Sequence, residues 1–339
     1  MTPREAVLEQ LNHRETRPVP YTLDADGEVA EALTAHYGGP QWRDRLTPYV
    51  VGVPSGVVTH VHEPIGDGLA RDTYGVIWRL DRRPWHLVKA PLSAPSFEGY
   101  SFPTPEAFIH PEQKEQGREE CAQGQDRFSI VHLGWGLFEA SWGLRGFENA
   151  LMDTVAEPDF YEELLDRLAR NFLAFVDYVS DVPADAVMFG DDWGCQTGVI
   201  MGPERWRRFL KPRWAKIYEA VHAQGKYVIT HCCGSIVDIL PDLVEIGLDV
   251  LESVQPEARG MNPYELKKSW GDKLTFWGGL GSQSTIPFGT PASIAAEVQR
   301  LCAEMGTGGG YILAPAKSLQ PGTPVENAVA VLEAFTGQK

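Results

Sequence analysis

Five short apolar runs in the second half of the chain constrain its fold more than any other feature, because each ends in polar or small residues. The runs are ADAVMFGDD, GKYVITHCCG, LDVLESVQP, KLTFWGGLG and GGYILAPAK, which begin at positions 184, 225, 248, 273 and 309. Stretches typical of amphipathic helices lie between them, such as Pro203 to His222 and Pro291 to Met305. A strand whose two faces are both covered is apolar throughout, as in a parallel sheet with helical crossovers. The pattern therefore predicts an α/β fold on a parallel sheet.

The first half offers weaker strand candidates, after an opening helix that Thr2 would cap and Pro3 would start. The candidate strands are PVPYTLDAD from position 18, the region Tyr74 to Leu80, and SIVHLGWG from position 129. With the five runs they make eight strands, which suits a barrel. An open doubly wound sheet is the alternative, although no G-x-G-x-x-G motif follows any strand. In a barrel, the polar residues after the runs would meet at the C-terminal face, where barrel enzymes place their active sites.

The charge of the chain restricts its partners. With 46 acidic and 30 basic side chains, the net charge is -16, and such a surface repels phosphate backbones and anionic lipid. No apolar run approaches the ~20 residues needed to span a bilayer. The first residues, MTPREAVLEQ, carry charge where a signal peptide would be apolar. We therefore predict a cytoplasmic protein that binds neither nucleic acid nor membrane, and the sequence predicts no oligomeric state. The five cysteines, an odd number in a long chain, argue against a disulfide framework.

The motif His231-Cys232-Cys233-Gly234, at the end of the run KYVIT, is the sharpest chemical signal. Residues two apart on an extended strand point to the same side, so His231 and Cys233 can act together. An imidazole and a thiolate are both good zinc ligands, but a full site needs one or two more. The alternative is that His231 ends the strand while both cysteines pack in the core.

Other strand ends supply further candidates. Asp191 and Asp192 follow VMFG. Such a pair of carboxylates often caps a helix or lies in a solvated turn, but two of them directly after an apolar run are hard to place in a core, so a functional role for at least one is the other interpretation. Glu252 cannot be buried cheaply without a partner, and Lys317 is the simplest partner for it. Asp24 follows the first candidate strand. The predicted substrate pocket contains Tyr21, Trp135, Trp193, Gln255 and Gln283. His60 and His62 form only a weak metal signal.

Several segments resemble proteins of the uroporphyrinogen-decarboxylase-like superfamily. They are TPREAVLEQLNHRETRPVPY, LRGFENALMD, GDDWGCQTGVIMGPERWRRFLKP, HCCGSIVDILPDLVEIGLDVLESVQPEARGM, LTFWGGLGSQSTIPFGTP and GGYILAPAKSLQPGTPVENAV. They span nearly the whole chain in order, so the resemblance implies a single (β/α)8 TIM-type barrel domain over residues 1–339. The superfamily includes uroporphyrinogen decarboxylases and zinc-dependent methyltransferases that pass methyl groups between corrinoid proteins and thiols.

The decarboxylase branch implies an N-terminal cluster of arginines that grips the carboxylates of the substrate. The stretch from Tyr21 to Gln41 contains no arginine and is acidic. A substrate with many carboxylates would be repelled there. We therefore predict that this protein does not decarboxylate uroporphyrinogen.

The methyltransferase branch implies zinc held by an H-x-C motif, which His231 and Cys233 match. It also implies a second cysteine in a segment that resembles LAPAKSLQP, where this chain has Lys317. A protonated lysine cannot bind a metal, so the third ligand has to come from elsewhere. The possible replacements are Asp191, Asp192, Glu252 and, less plausibly, Cys232.

Three hypotheses follow. The leading one is a metal-assisted methyltransferase with a corrinoid or small methylated donor. Its zinc would be bound by His231, Cys233 and a carboxylate such as Glu252. The catalytic candidates are Asp191, Asp192, Lys317 and Asp24. The resemblance implies a corrinoid protein as a partner of such an enzyme, beside its small-molecule substrate. The second hypothesis is a metal-free decarboxylase or lyase on another small carboxylate, with Asp24 or Asp192 and Lys317 as the working pair. The third is a non-catalytic barrel that binds a ligand.

Overall fold

A computed structural model describes residues 1–59, 62–82 and 84–338 of the chain, so His60 lies outside the described residues. The strands are β1 Val50–Val53, β2 Glu63–Gly66, β3 Leu69–Arg71, β4 Ile77–Arg79, β5 His86–Lys89, β6 Phe128–Trp135, β7 Ala186–Gly190, β8 Gly194–Cys195, β9 Gly198–Val199, β10 Tyr227–His231, β11 Val250–Val254, β12 Thr275–Leu280 and β13 Tyr311–Pro315. The helices are α1 Pro3–Leu11, α2 Gly27–Tyr37, α3 Pro111–Gln123, α4 Leu137–Arg145, α5 Phe147–Ala156, α6 Pro158–Tyr178, α7 Pro203–Phe209, α8 Lys211–His222, α9 Leu240–Glu245, α10 Pro263–Trp270, α11 Thr285–Phe288, α12 Pro291–Glu304 and α13 Val325–Thr336. Short 3₁₀ turns lie at Pro40–Arg45, Pro105–Phe108 and Val237–Ile239.

Seven strands form one parallel sheet in the order β1-β6-β7-β10-β11-β12-β13. The five apolar runs of the second half supply β7, β10, β11, β12 and β13, which confirms the predicted α/β fold. In the register of this sheet, His231 at the end of β10 lies beside Gly190 on one side and Glu252 on the other. The C-terminal ends of β7, β10 and β11 therefore bring the candidate site residues together.

One edge of the sheet continues into the segment around Tyr21, which was a candidate strand. This segment makes isolated parallel bridges, Tyr21 with Leu313 and Ala25 with Leu319, and does not form a longer strand. The hydroxyl of Tyr21 accepts a hydrogen bond from the backbone of Thr47, near the start of β1. Within the described residues no strand pairing joins this segment to β1. Closure into a complete (β/α)8 barrel therefore stays a prediction.

The region Tyr74 to Leu80 does not join the parallel sheet. It contains β4 of a separate antiparallel sheet, β2-β3-β4-β5. Its apolar character has another cause, because the buried indole of Trp78 packs edge-on against Trp135 and Trp142. The parallel sheet instead takes β1, a short and half-buried strand that the sequence analysis did not single out.

The helices mostly follow the predicted pattern. Helix α1 begins with the Thr2 cap, and α12 matches the predicted stretch from Pro291. The stretch Pro203 to His222 is two helices because Pro212 has no amide hydrogen to donate inside a continuous helix. Among the described residues, none of the helices combines the length and apolar character needed to cross a membrane.

The core lies between the parallel sheet and the helices that cover it. Phe189 of β7 shows the packing, because its ring contacts Phe172 of α6 and both Trp214 and Tyr218 of α8. All four side chains are fully buried. Burial of large rings of this kind dominates the free energy of folding and fixes the strand ends that carry the site.

Candidate metal centre and substrate cavity

Three side chains with metal-binding atoms meet at the C-terminal ends of β7 and β10. They are Asp192, His231 and Cys233, and one ligand atom from each lies within 4.8 Å of the others. The Sγ atom of Cys233 is 3.3 Å from Nε2 of His231, and that nitrogen is 3.6 Å from Oδ1 of Asp192. The predicted alignment of His231 and Cys233 is therefore present, and Asp192 supplies the third group.

Backbone contacts hold this cluster in shape. The amide of Cys233 donates to Oδ1 of Asp192 at 2.7 Å, and the amide of Asp191 donates to the carbonyl of His231 at 3.0 Å. Gly234 has φ +79°, and a Cβ there would lie 2.6 Å from the carbonyl carbon of Gly194. Only glycine fits where these two loops touch, because any other residue would bring a side chain into the neighbouring backbone. The loop that carries Cys233 is thus locked to the β8–β9 hairpin.

Glu252 lies behind His231. Its carboxylate forms a short hydrogen bond with Nδ1 of His231, which leaves Nε2 facing Cys233 and Asp192. Burial alone would lower the pKa of His231, but Glu252 and Cys233 outweigh it and raise this pKa well above its ordinary value. Glu252, predicted as a metal ligand, is therefore placed to orient a ligand, a role that carboxylates commonly take behind metal-binding histidines.

The three side chains fit a zinc ion. An imidazole nitrogen, a thiolate and a carboxylate oxygen are all zinc ligands, and three protein ligands with one open position are typical of catalytic sites. With bond lengths of ~2.0–2.3 Å, tetrahedral ligand atoms lie roughly 3.3–3.8 Å apart. The separations measured from Nε2 of His231 fall in this range. All three groups therefore have suitable chemistry for such an ion, and Nε2 of His231 has the spacing to Cys233 and Asp192 that it requires.

Asp191, by contrast, faces the core. Its fully buried carboxylate accepts hydrogen bonds from the amides of Phe138 and Glu139 at 3.1 and 2.9 Å, and from the indoles of Trp193 and Trp214. Burial raises the pKa of Asp191 to about 7, although these four bonds oppose the rise. The amides of Phe138 and Glu139 lie in the first turn of α4, where the helix itself supplies no acceptor for them. Asp191 therefore caps the N-terminus of a helix from a distant part of the chain.

That cap places Glu139 beside the cluster. Burial, together with the charges of Asp191 and Asp192, raises the pKa of Glu139 to about 9. A carboxyl group with such a pKa is protonated at neutral pH. Glu139 is therefore a proton-carrying neighbour of Asp192, and the sequence analysis missed it.

A cavity of about 700 Å³ opens beside the cluster. Glu252 lines it and connects it to His231, while Lys317, Asp24 and Tyr21 lie on other parts of its wall. The remaining lining residues are Thr22, Leu23, Arg43, Asp44, Leu46, Thr47, Pro48, Tyr49, Val50, Gly52, Ile130, His132, Met188, Trp277, Ala314, Pro315 and Ser318. Of the five strand-end residues predicted to converge on one mouth, Lys317 and Glu252 line this cavity, and His231 is joined to it through Glu252. Asp191 is fully buried and does not line it.

The other predicted pocket residues lie elsewhere. Trp193 is buried, and its ring packs against Trp206 and Trp214. Its indole nitrogen donates a hydrogen bond to Asp191, which holds the ring in the core. Trp135 lines a separate void of about 20 Å³ beside Glu139.

Gln255 and Gln283, the two glutamines predicted to line the pocket, are linked through Gln196 by hydrogen bonds. Gln255 accepts from the amide of Gly234 and donates to Gln196, which in turn donates to Gln283. These contacts hold the β8–β9 hairpin over the loop that carries Cys233. Cys232, a less plausible ligand from the start, is fully buried and accepts from the amide of Trp193.

His132 is the other residue that the sequence analysis missed. It lies in β6, within the run SIVHLGWG, and lines the cavity. Burial lowers the pKa of His132, with Glu252 opposing and His231 adding to the effect. A histidine in the middle of an apolar strand was the available signal, because such a position is costly unless the side chain meets a cavity or a partner.

Comparison with known proteins gives consistent findings. A model of the family described as uroporphyrinogen decarboxylase (URO-D) matches residues 139–337. The methylcobamide:CoM methyltransferase MtaA of Methanosarcina barkeri is 29% identical over 185 residues, which is 53% of this chain and 50% of that protein. A uroporphyrinogen decarboxylase of Nitrosospira multiformis is 26% identical over 181 residues, 52% and 47% of the two chains. The chain thus spans about half the length of the curated relatives it matches.

The fold likeness extends further than the sequence likeness. A solved structure of a methyltransferase from Methanosarcina mazei aligns with a TM-score of 0.71 at 20% identity. The alignment covers 99% of this chain and 98% of that one. The same α/β fold is therefore present over almost the whole length of both chains.

Proposed function

The chain belongs to the uroporphyrinogen decarboxylase (URO-D) family, and within that family we propose that it is a metal-dependent methyltransferase. The observation that carries the proposal is the cluster of Asp192, His231 and Cys233, whose ligand atoms lie within 4.8 Å of one another. A decarboxylase has no need of such a group of ligands, whereas transfer of a methyl group to a thiol gains from a metal that favours the thiolate. The methyltransferases among its relatives support the same branch.

In this proposal zinc is held by Asp192, Nε2 of His231 and Cys233. When bound, the ion supplies Lewis acidity that favours the deprotonated form of an acceptor thiol or polarises a substrate oxygen. Asp192 replaces the cysteine that the family resemblance implies and that this chain lacks at Lys317.

The residues around the cluster have distinct tasks. Glu252 holds Nδ1 of His231, which fixes the orientation of the ring and keeps Nε2 directed at the ligands. Glu139, protonated at neutral pH, can hold a proton beside Asp192. The cavity next to Glu252 is large enough for a small substrate. Asp24 and Lys317 on its wall are proposed to contact that substrate.

The methyl donor follows from the relatives. MtaA is named for methylcobamide, so we propose that this chain takes its methyl group from a corrinoid, carried by a partner protein, or from a small methylated compound. A cytoplasmic location and the absence of nucleic-acid and membrane partners complete the proposal, because the net charge of -16 opposes both interactions.

Metal content tests the proposal directly. We expect about one zinc per native protein, and strong loss of zinc in His231→Ala, Cys233→Ser and Asp192→Asn variants. Cys195→Ser is the matched control, because Cys195 is an exposed thiol in the adjacent hairpin that is not part of the cluster. A native protein that takes up no zinc on titration, or equal zinc in all variants, would refute the metal site.

Activity is tested by incubation with methylcobalamin and a small thiol, following the absorbance change of the corrinoid. We expect turnover that depends on zinc. Asp24 and Lys317 line the same cavity, which favours a metal-free decarboxylase as the second candidate. Carbon dioxide release from a small carboxylic acid by the zinc-free protein would establish that candidate, and absence of any turnover would leave a ligand-binding barrel.

A further inference from the structure

His132 holds an unusual position in the cavity. It lies in the middle of β6, between buried neighbours Val131 and Leu133, yet its own side chain is accessible within the cavity. Glu252 lines the same cavity and is bound to His231, so this cavity connects His132 to the candidate metal centre. Because the His132 side chain is exposed to the cavity, its ring nitrogens meet water when the cavity is empty and can meet a ligand when it is filled.

Several other polar side chains of the cavity wall are already engaged, although the hydroxyl of Tyr49, which also lines the cavity, forms no hydrogen bond within the described residues. The indole of Trp277 donates to Thr22 at 2.9 Å, and the hydroxyl of Tyr21 accepts from the backbone of Thr47. The carboxylate of Glu252 is bound to His231. Within the described part of the chain, the ring nitrogens of His132 form no hydrogen bond. His132 is therefore free to bind a ligand with either nitrogen.

The charges around the cavity decide which ligand fits. At its rim the cations Arg43 and Lys317 are matched in number by the carboxylates of Asp24 and Asp44, and all four side chains are exposed. At depth, Glu252 adds a further negative charge close to His132. Glu252 already engages His231, and among the described lining residues Arg43 and Lys317 lie only at the rim, so an anionic group bound at His132 would gain no free cationic partner, which disfavours it.

The remaining surface near His132 is apolar. Ile130 precedes it by two residues on the same face of β6, and Met188 is its register partner on β7. Trp277 adds an aromatic surface. Such a lining suits a hydrocarbon or aromatic body, with a few polar groups that fix its orientation.

We propose that His132 is the substrate-binding residue of this cavity and that it selects a compound with an uncharged ether or hydroxyl oxygen on an apolar body. The inference rests on the proposed methyl transfer to a thiol. In that step the methyl–oxygen bond of an uncharged methyl ether breaks, the methyl group forms a bond to the sulfur of the acceptor thiol, and the proton that the thiol loses ends on the ether oxygen, which gives an uncharged hydroxyl compound. A neutral imidazole can donate one hydrogen bond to such an oxygen or accept one from it.

Binding of two matched probes tests the inference. The probes are 2-methoxyphenol, uncharged at neutral pH, and 2-methoxybenzoate, which is anionic, and both are titrated into the full-length protein by calorimetry. We expect 2-methoxyphenol to bind at least tenfold more tightly than the benzoate. His132→Phe should weaken its binding about three- to tenfold, the usual effect of losing one neutral hydrogen bond, whereas His132→Gln should retain it. His36→Phe, on the exposed face of α2, is the control and should change nothing.

Three results would overturn the inference. They are unchanged binding in His132→Phe, no binding of either probe to the native protein, and tighter binding of the benzoate that is lost in Lys317→Gln. The last result would assign selectivity to the rim cations. Probe binding is measured without turnover, so this inference and the proposed function can fail separately. A native protein that binds the probe but holds no zinc would refute the methyltransferase alone. A native protein that holds zinc but whose probe binding is unchanged by His132→Phe would refute this inference alone.

Discussion

Asp191 and Asp192 are consecutive, yet they have opposite environments. Asp191 is fully buried and binds four donors, whereas the Asp192 side chain is 39% exposed and faces the candidate metal ligands. The division follows from the end of β7, where successive side chains point to opposite sides. One carboxylate therefore organises the structure while its neighbour is available for chemistry.

Replacement of Asp191 should destabilise the protein in a graded way. Asp191→Ala leaves four buried donors without an acceptor, and we expect the free energy of unfolding to fall by about 3 kcal/mol or more. Asp191→Asn should cost less, about 1–2 kcal/mol, because the amide oxygen still accepts and no charge has to be buried. Urea unfolding measures both.

Asp159→Ala is the control, because Asp159 also lies in the first turn of a helix but is exposed. It should change the free energy of unfolding by about 0.5 kcal/mol or less. Equal effects at Asp159 and Asp191 would contradict the capping role.

At the residue scale, the sequence predicted part of the site. The H-x-C spacing predicted that His231 and Cys233 lie together, because it depends only on strand geometry. It could not choose among Asp191, Asp192 and Glu252 as the third ligand, because that choice depends on which way each strand end turns. Glu139 and His132 were missed because neither directly follows a recognisable apolar run.

At the scale of elements, the site depends on two loops that touch through their backbones. The loop after β10 and the hairpin β8–β9 meet at Gly234 and Gly194, with no space for a Cβ on either. The Gln255–Gln196–Gln283 chain then spans the same contact by hydrogen bonds. Zinc affinity is therefore expected to depend on residues that are not ligands.

Gly234→Ala should reduce both stability and zinc uptake. Left-handed backbone costs an alanine about 1–2 kcal/mol, and displacement of the neighbouring loop adds about 1–3 kcal/mol. We expect the free energy of unfolding to fall by about 2–5 kcal/mol in total, with weaker zinc binding in a competition assay.

Gly225→Ala is the matched control for this change. Gly225 has φ +71°, but nothing lies within 4 Å of its added Cβ. It should therefore show only the backbone cost of about 1–2 kcal/mol and unchanged zinc binding. Identical behaviour of the two variants would show that the loop contact is unimportant.

A buried ion pair links helices α4 and α5. The guanidinium of Arg145 donates to Asp153 at 2.7 Å, and both side chains are almost fully buried. Arg145→Met leaves the carboxylate of Asp153 without its partner, and we expect a loss of about 3–5 kcal/mol in the free energy of unfolding. Arg300→Met, which breaks the exposed pair with Glu304, should cost about 0.5 kcal/mol or less. Thermal or urea unfolding measures both variants. If Arg145→Met and Arg300→Met lost similar free energy of unfolding, burial would not explain the contribution of the Arg145–Asp153 pair.

At the scale of the whole molecule, charge sets a limit on the substrate. The net charge is -16, and the stretch from Tyr21 to Gln41 has no arginine. Among the residues that the structure describes, the cavity rim offers Arg43 and Lys317 as its only lysine or arginine cations. We expect no decarboxylation of uroporphyrinogen, because its carboxylates would lose water without gaining partners. Chromatography of the porphyrin products decides the matter, with a known decarboxylase as positive control. Products with fewer carboxyl groups would disprove it.

The sequence predicted the second half of the fold better than the first. The strands of the second half are buried on both faces, so their composition alone marks them. Val50–Val53 is only half-buried, and the region Tyr74 to Leu80 is apolar because Trp78 packs against Trp135 of β6 and Trp142 of α4. Such positions depend on tertiary contacts that a local pattern does not contain. That residues 1–339 form one domain stays a prediction.

The antiparallel sheet has a consequence for how the chain folds. It lies in the long segment that separates β1 from its partner β6, in which Val50 pairs with Phe128. Two points within that segment are joined, because Val57 bridges to Ile109 and the amide of Val58 donates to the carbonyl of Phe108, which leaves α3 and its flanking loops between this contact and β6. Once these contacts form, the chain that remains to be closed between β1 and β6 is short, and the entropy lost on pairing them is smaller. If the contacts of Val57 and Val58 form early in folding, β1 and β6 would pair across a shorter loop. Their pairing would then be faster than their separation in the sequence implies.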